Sequence, residues 1–347
     1  MRSCLDLLTT LIKLDSNENP FGPSPSALEA MQAALADCSN YPDDNASTLR
    51  RKLAEQHHVN IGQIVVVGGL TEFLGMLART FLGPGLNAVT SERSFIVYRM
   101  ATQAANAQLI EVPMRRNSFD LQGIAAAVNQ NTRIIFLANP NNPTGTLVTV
   151  DEVDHLLRQV PEHVVVAFDE AYYEFAADFA TRRGAKYSRS LDYVREGRNV
   201  VVLRTFSKVH GLAGLRVGYG IASAELIARI SVQRALYCVS NLAQAAALAA
   251  LEDFAHIRNA VANNTDQSQR LIAALSELGY ATTLTWANFL YCELGRDSTR
   301  FAEQLRHEGI AVRALDQWGA PQAIRITIGT PEQNDALLRA LRKLKNS

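Results

Sequence analysis

Short, almost uninterrupted apolar runs recur through the first two thirds of the chain, and each stops at a cluster of turn-forming or polar residues. Ile64–Val67 stops at Gly68-Gly69, and Arg133–Ala138 at Asn139-Pro140-Asn141-Asn142-Pro143-Thr144-Gly145. His163–Phe168 stops at Asp169-Glu170-Ala171-Tyr172, and Asn199–Leu203 runs on to Thr205-Phe206-Ser207-Lys208. Runs without polar alternation are strands covered on both faces. Segments with helical spacing separate them, at Gly69–Leu82, Ile96–Ala105, Leu121–Asn129 and Val150–Gln159. Strands joined by helical crossovers build a mostly parallel, doubly wound sheet flanked by helices. Ligands of such sheets sit beyond the carboxyl ends of the strands, which is where the polar clusters fall.

The rhythm changes after about Ser240. An Ala-rich helix at Asn241–Glu252 and a long helix from Ala255 to Leu278 precede short strands at Phe289–Glu293, Ala311–Ala314 and Ile324–Ile328. Helices at Thr299–Glu308 and Gln333–Leu344 complete a smaller α+β unit. The expected organisation is a large α/β domain over 36–240, with an N-terminal arm (1–35) and residues 241–347 forming the small domain. In the arm, Ser16–Ser26 is too rich in Asn, Pro, Gly and Ser for a regular element. A helix is expected from Ser26 to Asp37, and Ser47 reads as the N-cap of a helix to His57.

Length and composition agree with two soluble domains: 347 residues, 48% hydrophobic and 20% charged. A formal net charge of +0 offers no surface for nucleic acid or acidic membranes. Cys4, Cys38, Cys238 and Cys292 form no CxxC pair, so neither a metal site nor a disulfide framework is expected. The first residues are broken by Asp6 and Lys13 and carry no cleavage site, which points to a cytoplasmic protein.

The chemistry sits at the strand ends. Lys208 follows a buried strand, has Thr205 and Ser207 before it, and has Arg216 eight residues on. Hydroxyls and an arginine can hold a phosphate, and a desolvated lysine can hold a carbonyl as a Schiff base. A solvated lysine in a Gly-rich loop fits that stretch alone equally well. Asp169 at the end of a buried strand is costly unless paired; it can hold a pyridine nitrogen protonated, or it can be a capping or salt-bridged acid. Asn142 can donate to a ring hydroxyl or serve turn chemistry. Gly68-Gly69-Leu70-Thr71 opens a helix whose free N–H groups suit a phosphate, or it is simply a tight strand–helix turn.

Taken together and in this order, NPNNPTG, DEAY and TFSK with its arginine resemble the fold-type I pyridoxal-phosphate aminotransferases. SNENPFGP, NYPD, LRTFSKVHGLAGLRVGYG and IRITIGT most resemble the histidinol-phosphate aminotransferase family. The resemblance spans nearly the whole chain. It implies pyridoxal 5'-phosphate as cofactor, held by Lys208 as an internal aldimine. It implies Asp169 as partner of the pyridinium, and Tyr172 and Asn142 as donors to the ring oxygen. Leu70, Thr71, Thr205, Ser207 and Arg216 match the phosphate cup, and Phe95 matches the residue stacked on the ring. Tyr41 matches a tyrosine that reaches the cofactor of the other subunit, which implies a homodimer with shared sites. Arg325 and Arg313 match arginines that grip the substrate's carboxylate or phosphate, and Asn17 borders the substrate. The implied reaction is a ping-pong transamination between L-histidinol phosphate and 2-oxoglutarate, in histidine biosynthesis.

Three positions depart from the family. Arg93-Ser94-Phe95 replaces Pro-Thr-Tyr, so Phe95 has no hydroxyl for a substrate phosphate. Residues 1–14 contain no aromatic residue where the family closes a tyrosine over the substrate. Arg99 stands where an apolar residue or proline is usual. The first two suit an unphosphorylated aromatic amino acid, so an aromatic aminotransferase stays open, as does a threonine-phosphate decarboxylase on the same scaffold. A non-enzymatic cofactor-binding protein ranks third, because the full catalytic set is present.

Overall fold

The structure, a computed structural model, describes residues 11–346; Cys4, Asp6 and the first ten residues of the arm lie outside it. Its strands are β1 (Ile12–Leu14), β2 (Ile64–Val67), β3 (Asn87–Ser91), β4 (Gln108–Val112), β5 (Thr132–Ala138) and β6 (Val165–Asp169). They continue as β7 (Val200–Thr205), β8 (Gly218–Ala222), β9 (Ala281–Thr282), β10 (Phe289–Glu293), β11 (Ile310–Ala314) and β12 (Ala323–Thr327). Seven form one sheet in the order β2-β8-β7-β6-β5-β3-β4, and five form a second in the order β1-β11-β12-β10-β9.

The large sheet is parallel from β7 to β4, and β8 runs antiparallel to both its neighbours. Every residue of β6 and β7 is buried, as their unbroken apolar runs require. Helix Leu70–Phe81 lays Phe73, Leu74 and Leu77 on this core. It comes close to β8 because position 220 is glycine: a Cβ there would fall 2.2 Å from the Phe73 ring. The fold is therefore the expected doubly wound α/β architecture, a mostly parallel sheet flanked by helices, with a smaller α+β sheet beside it.

Several local readings change. Ser47 is the first residue of helix Ser47–His57 rather than its cap; Asp43 accepts the amides of Asn45 at 3.0 Å and Ser47 at 2.7 Å, and Ala46 takes a left-handed φ of 47°. The first helix is Pro25–Ala34, capped by Ser24 and tightened into a 3-10 turn over Leu35–Asp37. Helix Tyr173–Arg183, which the sequence reading does not include, begins directly after the Asp169–Tyr172 cluster. Its buried stripe of Phe175, Ala176, Phe179 and Ala180 has helical spacing, masked in sequence by the turn-like start. In the arm, β1 pairs in parallel with β11 and completes the small sheet.

Helices Pro25–Ala34 and Asn241–Glu252 pack together, and both bury alanines in the core of the large sheet (Ala27; Ala243, Ala246, Ala250). We therefore propose that the division between the domains lies near Asp253, with the first helix on the large-domain side. Among the described residues, no helix is long and apolar enough to cross a membrane.

The arm is pinned on the loop that carries the lysine. Asn19 Nδ2 donates to the Val209 carbonyl at 2.7 Å, and Gly22 O lies 2.0 Å from where a Cβ of Gly211 would stand. Gly211 also has a φ of +70°, which disfavours any side chain. Gly211→Ala should lower unfolding stability by about 2 kcal/mol or more, read by urea titration. An unchanged transition midpoint would mean that the arm does not rest on this loop.

Candidate active site

A cavity of ≈ 430 Å³ opens at the carboxyl ends of β5, β6 and β7, within the size range of small-molecule sites. Every candidate cofactor- or substrate-binding residue named from the sequence lines it except Tyr41; Arg93, Ser94 and Arg99 do not. Asp169 is the last residue of β6, and Thr205 is the last of β7. The two strands are in register, with Asp169 opposite Leu203, so their ends converge on one floor.

Asp169 is buried. Its Oδ2 accepts from Tyr98 Oη at 2.9 Å, and Oδ1 accepts the Ala171 amide at 3.3 Å. Burial raises its pKa to about 6 against the lowering effect of the Tyr98 and Ala171 hydrogen bonds. Lys208 Nζ has a longer contact, donating to the Ser16 carbonyl at 3.2 Å. Burial first, then the positive charge of Arg325, lowers its pKa to about 7. A neutral amine near pH 7 can act as a nucleophile or take up a proton.

Asn142 owes its position to its neighbours. Asn139 brackets Val148 through its amide and carbonyl groups, at 2.9 and 3.0 Å. Asn141 binds Ser94, Arg93 and Thr144. Turn chemistry therefore falls to Asn139 and Asn141. Asn142 instead accepts from Arg325 Nη1 at 2.5 Å, which leaves its amide nitrogen for a ligand. Tyr172 Oη accepts from Asn17 Nδ2 at 2.9 Å, and burial raises its pKa to about 12.

A further set of lining residues forms a phosphate cradle. At the start of helix Leu70–Phe81 the Glu72 and Phe73 amides donate to the Gly69 carbonyl at 3.1 and 3.3 Å, and the Leu70 and Thr71 amides precede the first intrahelical bond and suit a phosphate. Gly69 has a φ of +95°, and a Cβ there would meet the Arg216 guanidinium at 2.5 Å. Thr205 Oγ1 accepts the Ser207 amide at 3.1 Å, which shapes the turn into Lys208. Among the lining residues, Lys208, Arg216, Arg313 and Arg325 face only Glu18 and Asp169 as carboxylates. Such a cavity suits anionic ligands. An acid at the floor, a ring at Phe95, a lysine and a phosphate cradle together fit pyridoxal phosphate.

Arg325 and Arg313 are cross-strand partners in register on β12 and β11. Arg325 Nη2 donates to the Asp15 carbonyl at 2.8 Å, and Arg313 Nε to the same oxygen at 3.3 Å. Arg325 Nε is buried with no partner, an open donor for a ligand. Burial, followed by the charge of Arg313, lowers the Arg325 pKa to about 10; the nearby Tyr172 works in the opposite direction.

Other positions were not legible from the sequence. Tyr98, which holds Asp169, lies one helical turn past Phe95, and its ring stacks on Phe136 at 4.8 Å. Ser16, Glu18 and Trp318 also line the cavity, brought there by the arm and by the turn between β11 and β12. Arg99 binds both oxygens of Glu111 on β4, at 2.7 and 2.9 Å. Tyr41 is 82% exposed and stacks on Tyr237 at 4.6 Å.

The family model of class I and II aminotransferases matches residues 9–341. A histidinol-phosphate aminotransferase of Pseudomonas fluorescens is 42% identical over 335 residues, spanning 96% of this chain and 89% of that protein. One from Moorella thermoacetica is 43% identical, spanning 96% and 85%. A solved histidinol-phosphate aminotransferase of Sinorhizobium meliloti, in complex with pyridoxal-5'-phosphate, superposes with a TM-score of 0.87 at 28% identity, covering 96% of this chain and 90% of that one.

In the cofactor-free protein, brief acetylation of Lys208 should rise with pH through a midpoint of about 7, because only the neutral amine reacts and it is populated above the pKa. A midpoint near that of a free lysine, about 10.4, would show that the site does not desolvate it.

Proposed function

The chain belongs to the class I and II aminotransferases and is a pyridoxal-phosphate-dependent transaminase; from that premise we propose that it exchanges amino groups between L-histidinol phosphate and 2-oxoglutarate, in histidine biosynthesis. The carrying observation is the pair of arginines, Arg325 and Arg313, which the small sheet brings to the same cavity that Arg216 of the large domain lines. They provide a second anion site, distinct from the one suited to the cofactor. A planar guanidinium accepts a carboxylate or a phosphate by the same two-point contact. One site can therefore serve the phosphate of one substrate and the distal carboxylate of the other. The names of the relatives support the same couple.

The bound cofactor supplies the electron sink that stabilises a carbanion at the substrate's α-carbon. The remaining roles belong to the chain. Lys208 Nζ would hold the cofactor's carbonyl carbon until the substrate's amine displaces it, and the freed amine would then be placed to take the substrate's α-proton and deliver it to that same carbonyl carbon. Asp169 keeps the ring nitrogen protonated, and Tyr98 keeps Asp169 in place. Tyr172 and Asn142 orient the ring oxygen. The amides of Leu70 and Thr71, with Thr205, Ser207 and Arg216, hold the phosphate, and Phe95 covers the ring. Asn17 fixes Tyr172 from the arm.

Phe95 favours a competing reading, an unphosphorylated aromatic donor, because it cannot offer a hydroxyl to a phosphate. A panel of amino donors with 2-oxoglutarate on the cofactor-loaded protein separates the two. Histidinol phosphate should exceed phenylalanine in kcat/KM by at least about tenfold, the factor for one charge-assisted contact of about 1.5 kcal/mol. Equal values would reject the proposal, and release of carbon dioxide would mark a decarboxylase.

The chain works as a cytoplasmic homodimer, with Tyr41 completing the partner's phosphate site. The support is that Tyr41 lies outside its own cavity, in an exposed patch with Leu236 and Tyr237. Sedimentation of the holoenzyme should show two chains, with weaker cofactor binding in Tyr41→Ala. A monomer of full activity would contradict both.

A further inference from the structure

Behind the cavity floor lies an ion pair that the reaction does not use. Glu170 and Arg204 follow Asp169 and precede Thr205 directly, so strand alternation turns them to the opposite face of the sheet. Their side chains are 1% and 7% exposed. Arg204 donates to Glu170 Oε2 through Nε at 3.1 Å and Nη2 at 2.9 Å, while Ser188 donates to Oε1 at 2.5 Å. The guanidinium also stacks on the Tyr173 ring, 3.5 Å from its centroid. Beyond the last β6–β7 partners, the Glu170 amide donates to the Leu203 carbonyl at 2.9 Å.

A buried ion pair is a poor way to gain stability, since apolar residues of similar volume do as well or better. Its recognised use is to fix register. This pair cross-links the two strands at the points where one delivers Asp169 and the other delivers Thr205, Ser207 and Lys208. A slip between those ends would separate the acid from the lysine without unfolding anything.

We infer that Glu170 and Arg204 are positioning residues that set Asp169 relative to Lys208 and the phosphate cradle. Neither touches the cavity; they act through the strand ends. The inference rests on the cofactor roles assigned to Asp169 and Lys208. If those roles are wrong, the wild-type chain itself will fail to hold cofactor; if only the clamp is wrong, the wild-type chain will hold cofactor and the variants will hold it just as well.

The test uses holoenzyme and three readouts: thermal midpoint, dissociation constant for pyridoxal phosphate, and circular dichroism of the bound cofactor's visible band. Arg204→Met alone leaves Glu170 buried and unpaired, so its thermal midpoint should fall. Glu170→Gln combined with Arg204→Met removes both charges and should recover most of that loss. The cofactor of this double variant should nonetheless bind at least about tenfold more weakly, with a reduced dichroic band, because its anchors are misplaced. Arg204→Lys, which keeps the charge but not the two-point fork, serves if the double variant does not fold. It should keep a near-wild-type midpoint and show the same two cofactor defects. Wild-type cofactor affinity and dichroism in whichever of these variants folds would reduce the pair to a structural contact and overturn the inference.

Discussion

Two ionisable groups, Asp169, buried at the end of β6, and Lys208, half-buried just past the end of the adjacent parallel β7, face one cavity, and the active site depends on how their charge is managed. Burying an unpaired ion costs several kcal/mol, and each group meets that cost by moving its pKa toward neutrality. The acid rises to about 6 and the lysine falls to about 7. Without ligand, neither is committed to its usual charge. A ligand with a basic ring nitrogen at one end and a reactive carbonyl near the other matches both needs at once. The same desolvation that makes the site expensive to build makes it reactive.

The rest of the molecule holds that arrangement in place. Parallel pairing of β6 and β7 brings the two ends together, and Tyr98 supplies the acid with a buried donor. The arm closes from above. It carries β1 in the small sheet, offers carbonyls of Asp15 and Ser16 to Arg325, Arg313 and Lys208, and lands Asn17 on Tyr172. Small sheet, arm and large sheet therefore meet at one cavity. Any shift of the small sheet against the large one moves Arg325 relative to Asn142, which are hydrogen-bonded across that boundary.

The buried strands and their polar ends were legible because a strand covered on both faces admits almost no polar residue until it leaves the core. The order of NPNNPTG, DEAY and TFSK then located most of the cavity. What stayed hidden has physical reasons. Tyr98 resembles any core aromatic, and only its distance to Asp169 reveals its use. Helix Tyr173–Arg183 starts without a side-chain cap, so no residue type marks its beginning after the Asp169–Tyr172 cluster. Ser47 has the chemistry of a cap, but Asp43 had already taken that role. Contacts made by backbone carbonyls, such as Ser16 with Lys208, leave no trace in residue type. Arg99 was conspicuous as a departure, yet it only pairs with Glu111 at the sheet edge.

The central claim is that Lys208, and no other amine, holds the cofactor. Reduction of the cofactor-loaded protein with borohydride fixes the attachment irreversibly, and mass spectrometry of the digest locates it. The structure predicts one labelled peptide, containing Lys208. A label on Lys13, which lies at the arm beside Glu18, or on any other amine in place of Lys208, would contradict it.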